Sequence, residues 1–166
     1  MKHLIVYSSK TGNTRKIAEA IHSVLPPGTE IYPVENAPDP DLYDFIAVGY
    51  WVDRGTANAE MAKYMPKIRG KKVGIFFTLG AYPHSDHARD SFETGSRLLG
   101  ENCEIIAKFW CQGAIDPKLT SWMSKLPAEH PHSPNPERLR RWEEAAKHPD
   151  SADLEAARKA FSGIQP

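Results

Sequence analysis

Ser9, Thr11, Asn13 and Thr14 crowd around Gly12 in the run Ser9-Lys10-Thr11-Gly12-Asn13-Thr14, directly after the apolar stretch Leu4-Ile5-Val6-Tyr7 and Ser8. A buried strand that passes through a hydroxyl-rich turn into a helix builds a cradle for phosphate. The helix N-terminus carries unpaired N–H groups and about half a positive charge, so a dianion binds there without a lysine. Ser9, Thr11, Asn13 and Thr14 add side-chain donors. Gly12 opens backbone conformations closed to residues with a Cβ and lets the main chain approach the anion.

No Gly-Lys-Ser or Gly-Lys-Thr closes this loop, and it lacks the three-glycine dinucleotide fingerprint, so it would serve another phosphate. A plainer alternative is a strand, a polar turn, and Thr14 or Asn13 acting as an N-cap. Other candidates carry less. His84 and His87, with Asp86 and Asp90 nearby, read as solvated loop histidines before they read as a metal site or proton relay. His130 and His132 flank Pro131 without cysteine or carboxylate at ligand spacing, so no metal is expected. Ser8 and Ser9 lack the Gly-x-Ser-x-Gly elbow of a hydrolytic nucleophile. Asp39, Asp41 and Asp44 cluster at the wrong strand end for a carboxylate pair at the site. Arg69-Gly70-Lys71-Lys72 reads as a solvated turn.

The elements that must position the loop alternate in type. Helical spacing of Ile17, Ala18, Ile21 and Val24-Leu25 runs from Thr14 to the stop at Pro26-Pro27-Gly28. Strands follow at Glu30 to Val34, Tyr43 to Tyr50, Lys71 to Leu79 and Glu104 to Trp110, with helices at Asn58 to Lys67 and Asp86 to Leu99. Continuous apolar runs such as Phe45-Ile46-Ala47-Val48 belong to strands buried on both faces. Strand–helix alternation predicts an α/β fold with a doubly wound five-stranded parallel sheet and helices on both faces. Ligands in such sheets bind at the carboxyl ends of the strands, which selects loops 8–14, 50–57 and 78–87.

At 166 residues the chain suits a single domain that buries its core without staples. Cys103 and Cys111, with no C-x-x-C spacing, point to a reducing cytoplasm. Neither a membrane span nor a signal-peptide pattern stands out. The 21 basic and 21 acidic residues balance, which argues against nucleic acid as a partner. Residues 117–166 change character: Pro127, Pro131, Pro134 and Pro136 make Pro127 to Pro136 an irregular segment between a short helix at Leu119 to Lys125 and a helix from Pro136. A last helix enters at Asp150 or Ser151 and leaves at Gly163. The stripes Leu139-Trp142-Ala145-Ala146 and Leu154-Ala157-Ala160-Phe161 are read as covering the sheet. Trp122 and Trp142 either pack on the domain or form a homodimer face.

Residues 1 to 116 resemble the flavodoxin family. Ser9-Lys10-Thr11-Gly12-Asn13-Thr14 matches the family's FMN phosphate loop, Thr/Ser-x-Thr-Gly-x-Thr. The resemblance implies strand order 2-1-3-4-5, FMN as cofactor, and flavin contacts from Tyr50, Trp51, Val52, Asp53, Arg54 and Gly55. From the third loop it implies Thr78, Leu79, Gly80, Tyr82, His84 and His87. Trp51 and Tyr82 would sandwich the flat ring, whose burial raises the cost of placing negative charge on it.

Three departures matter. Flavodoxins commonly carry glycine after the stacking tryptophan, where a peptide flip stabilises the one-electron semiquinone; here stands Val52, so the flip is expected to be hindered or moved to Arg54-Gly55. Carboxylates are sparse around the ring positions and Arg54 is close, so a less negative potential is expected. The segment 117–166 stands where a short flavodoxin has one closing helix, and is similar to tails of bacterial flavodoxin-like proteins that accompany reductases of linear tetrapyrroles. The resemblance therefore implies an electron carrier working with a redox partner protein. The alternatives are a small FMN-dependent reductase of a quinone or tetrapyrrole, and a flavin-free phosphate-binding module.

Overall fold

The computed structural model describes residues 1–166. The first apolar run forms strand β1 (His3–Tyr7), with Leu4, Ile5 and Val6 wholly buried. The phosphate-type loop follows and opens helix α1 (Asn13–His22). Then come β2 (Glu30–Pro33), β3 (Phe45–Asp53), the two-residue β4 (Thr56–Ala57), α2 (Ala59–Tyr64), β5 (Lys72–Leu79), α3 (Asp86–Ser96) and β6 (Glu104–Gln112). The last three helices are α4 (Pro117–Ser124), α5 (Pro136–Ala145) and α6 (Ser151–Phe161).

The sheet runs β2-β1-β3-β5-β6 with every neighbouring pair parallel. Counted over its five long strands, this is the 2-1-3-4-5 order expected from sequence. Helix α2 stops at Tyr64 and continues as a 3₁₀ turn over Met65–Lys67, because Pro66 has no amide to extend the ladder.

Side chains alternate across the sheet and build two cores. Leu4, Val6, Ile46, Val48, Tyr50, Ile75 and Phe77 fill the side closed by Met61, Tyr64 and Ala88. Ile5, Phe45, Ala47 and Phe76 meet Ile17 and Ile21 of α1 and Ala157 and Phe161 of α6 on the other. Phe161 packs edge-on to Phe76, ring centroids 6.1 Å apart. Gly74 makes room for it, since a Cβ there would lie 2.4 Å from the Phe161 ring.

This packing reassigns the C-terminal segment. Helix α6 is the closing helix of the sheet, and the added material is the stretch 113–150 between β6 and α6. Of the two stripes expected to cover the sheet, the α6 stripe does so, apart from exposed Ala160. On α5 only Ala145 is buried, while Leu139 is 51% exposed. Helix α5 is tied to α6 at its end instead: His148 Nδ1 lies 2.6 Å from Asp153 Oδ2, and its Nε2 lies 3.2 Å from Glu144 Oε1. The hydrogen bond to Asp153, more than any other cause, holds the His148 imidazole above its ordinary pKa. No helix is long and apolar enough to cross a membrane.

Candidate functional site: the cleft at the strand ends

The loop after β1 is arranged to donate. Gly12 is the N-cap of α1 at φ 97° and, as glycine, brings no capping side chain of its own. The left-handed conformation suits glycine alone among common residues at little cost. Ser9 Oγ accepts from the amides of Gly12 (3.1 Å) and Arg15 (3.3 Å). The amides of Thr11, Asn13 and Thr14 make no intramolecular hydrogen bond. Three N–H groups at a helix start, with the dipole behind them, form an anion site. The N-cap alternative for Thr14 and Asn13 is thereby set aside: Asn13 Nδ2 instead donates to Ala114 O (3.0 Å), and Thr14 Oγ1 lies 3.0 Å from Thr78 Oγ1 in a buried pair. That pair ties the loop to the end of β5.

The second loop is a hairpin. Val52 pairs with Ala57 and Asp53 with Thr56 in antiparallel register. Arg54 (φ 52°) and Gly55 (φ 80°) form the two-residue turn, and positive φ at both positions gives the twist that suits such hairpins. Asn58 fixes its base, donating from its backbone amide to Trp51 O (3.2 Å) and from Nδ2 to Ser8 Oγ (2.7 Å).

The third loop is anchored from β6. Trp110, stacked on Phe77 and Phe92, donates from Nε1 to Pro83 O (2.8 Å), and Gln112 Nε2 donates to Gly80 O (3.1 Å). Ser85 caps α3 through Ala88 N.

These loops line one cleft of about 610 Å³, within the usual size of small-molecule sites. Of the residues selected from sequence, it gathers Ser9, Lys10, Thr11, Asn13, Thr14, Trp51, Val52, Asp53, Arg54, Thr78, Leu79, Gly80, Tyr82 and His87. Lys10 Nζ lies 5.8 Å from the centre of the Trp51 ring and 3.3 Å from Asp116 Oδ2. Its partner Asp116 is the N-cap of α4, and its carboxyl sits below the usual range, chiefly through the hydrogen bond from Lys118 N.

Four selected residues lie elsewhere. Tyr50 is wholly buried and stacks on Phe77 at 5.3 Å, because strand alternation sends it opposite to Trp51. Gly12 lines the neighbouring groove, beside Glu35 and Glu60. Gly55 lies at the hairpin tip, where a Cβ would be 3.9 Å from the His87 ring. His84 stacks on Tyr82 at 5.7 Å and faces a separate hollow beside Arg140 and His148.

Tyr50 permits a sharp check. Its hydroxyl is buried without a partner, and burial pushes its phenol pKa up. Tyr50→Phe removes an unsatisfied group, so a gain of about 1 kcal/mol in stability is expected, read as a raised urea midpoint, with flavin affinity unchanged. A loss of flavin affinity would return Tyr50 to the site.

The sequence reading missed the cleft's far wall, made by Leu119 and Met123 of α4, His132, and Arg138, Arg141 and Trp142 of α5. The signal was present in part: residues 138, 141 and 142 share one helix face.

The cleft fits FMN. It offers unpaired amides for the phosphate, and the same cavity presents Trp51, Tyr82 and Leu79 for a flat apolar ring. The cluster with metal-ligand spacing, His148, Asp150 and Asp153, lies outside the cleft, where Asp150 and Asp153 form the capping box of α6.

Comparison with known proteins agrees with this geometry. The family model of the flavodoxin domain matches residues 4–162. A flavodoxin-like domain-containing protein BilS of Clostridioides difficile (strain CD3) is 32% identical over 161 residues, covering 93% of this chain and 90% of that protein. Among solved structures, oxidised Flavodoxin 2 from Bacillus cereus superposes with a TM-score of 0.57 at 21% identity, covering 98% of each chain. Azoreductase AzrA superposes at 0.58 and 12% identity, over 99% of this chain and 100% of that one. Both likenesses show the fold.

Proposed function

The chain belongs to the flavodoxin family and binds FMN, and we propose that it carries electrons between redox proteins. The observation that carries this reading is the single cradle: three unpaired amides at the start of α1 opening into the cavity that holds Trp51 and Tyr82. Bound FMN supplies the redox chemistry; the chain supplies binding, orientation and electrostatics. Thr11, Asn13 and Thr14 would hold the phosphate through their amides. Trp51 and Tyr82 would cover the ring, and the Thr14–Thr78 pair would keep loop and ring site at a fixed separation. No nucleic-acid partner is part of this reading, since the formal charge is zero. The flavin-free alternative is set aside by the family assignment.

A second reading, an FMN-dependent reductase of a small substrate, is supported by the wall that α4 and α5 add to the cleft. AzrA, by its name an azoreductase, has the same fold. The two part under steady-state assay of the FMN-loaded protein with NADPH and a quinone. A carrier turns over only once a flavoprotein reductase is added. Turnover of the protein alone would sink the carrier reading in favour of the reductase.

A further inference from the structure

Arg141 lines the cleft half-buried, yet its guanidinium makes no hydrogen bond or ion pair anywhere in the protein. Its neighbour three residues back, Arg138, spends one donor on Ser133 O (2.6 Å). Each guanidinium carries five donors in a planar fork that matches a carboxylate. Spaced i and i+3, both project from one face of α5. Neither arginine is paired with an acid of the cleft: Asp116 is engaged by Lys10 and by Lys118 N, and Asp53, on the hairpin, makes no ion pair with Arg138 or Arg141. The phosphate of FMN does not need them either, since the unpaired amides of Thr11, Asn13 and Thr14 already supply its donors. The same cleft also presents Trp142, Leu119 and Met123, apolar and aromatic side chains that suit a flat organic body. A half-buried guanidinium with unused donors is stabilised by an anion that enters with it.

We propose that the α4–α5 wall is a second ligand subsite of the cleft, for a small flat apolar molecule bearing a carboxylate, with Arg141 as its anion anchor and Trp142 as its platform. The proposal rests on the FMN reading, in which the phosphate loop, Trp51 and Tyr82 would hold the flavin and no residue of α4 or α5 is required for it. It assigns a function to the added segment 113–150 that fold closure, performed by α6, does not require.

The test uses the FMN-loaded protein titrated with 2-naphthoate and with its uncharged isostere 2-naphthamide, followed by the flavin absorbance change and by calorimetry. Naphthoate is expected to bind about tenfold more tightly than the amide, as a charge-assisted fork contact implies. Arg141→Gln removes that preference, Arg141→Lys keeps part of it, and Arg140→Gln, which faces the separate hollow, leaves it intact. FMN affinity stays unchanged in all three variants. Equal binding of acid and amide, or a preference that survives Arg141→Gln, overturns the subsite. So does an Arg141→Gln variant that loses affinity for FMN but not for riboflavin, which would give the guanidinium to the flavin phosphate. Failure of the wild-type protein to load FMN at all would strike the cofactor reading itself; loading without naphthoate binding strikes the subsite alone.

Discussion

Thr14→Val is expected to weaken FMN binding by roughly 10- to 100-fold while riboflavin binding changes little. The substitution keeps the shape of a side chain that is 1% exposed and deletes the hydroxyl shared with Thr78 at 3.0 Å. With Thr78 Oγ1 as the donor within that pair, the Thr14 hydroxyl proton is left for the phosphate beside the loop amides; a hydrogen bond to a charged acceptor contributes about 1.5–3 kcal/mol, and riboflavin lacks the phosphate that would receive it. Fluorescence quenching of the two flavins gives both constants on one sample. Because Thr78 also loses its partner, the variant will be somewhat less stable. Thr11→Val is the control for that, since Thr11 is exposed and takes no part in the core, so its affinity for FMN should fall without a change in unfolding midpoint. Equal losses for FMN and riboflavin in both variants would remove the phosphate from this loop.

What made this loop legible is that its chemistry is local. A strand, a glycine and hydroxyl residues at fixed spacing need no information from the rest of the chain, and strand–helix alternation gives a parallel doubly wound sheet, whereas the order of its strands is what the resemblance to flavodoxins implies. The side of a strand is nearly as local. Tyr50 and Trp51 are consecutive in β3, so period-two alternation already forbids both from facing the cleft. Two features were beyond local reading. Strand β4 is two residues long and has no periodicity to detect, so the hairpin at Arg54-Gly55 shows itself only in the pairing of Val52 with Ala57. The far wall depends on where the segment 113–150 settles. Arg138, Arg141 and Trp142 share a helix face with a polar appearance, and nothing within α5 says that this face lines the same cleft as Thr11, 127 residues before Arg138 in the sequence.

Reduction of the FMN-loaded protein is expected to run from oxidised to fully reduced flavin with little one-electron species at the midpoint. The flip that stabilises that species in many flavodoxins follows the stacking tryptophan, at the position of Val52. Here the backbone of that position is committed twice. Val52 and Asp53 are paired to Ala57 and Thr56, and the positive-φ places of the turn are already filled by Arg54 and Gly55. Turning the peptide after Val52 would break a ladder hydrogen bond, costing about 1 kcal/mol, and would press a non-glycine residue toward the left-handed region at about 1–2 kcal/mol more. Together these remove at least a tenfold preference for the one-electron state. Arg54, which lines the cleft, acts in the same sense, since a nearby cation favours a negative charge on the fully reduced ring. Val52→Gly alone should therefore not restore the one-electron species, because glycine relieves the strain but leaves the pairing with Ala57 in place. Dithionite titration under anaerobic conditions, followed from 350 to 700 nm, decides between these outcomes. A wild-type protein that accumulates a stable one-electron spectrum at half reduction would show that the hairpin opens when the flavin is reduced, and that the ladder between β3 and β4 is weaker than its pairing implies.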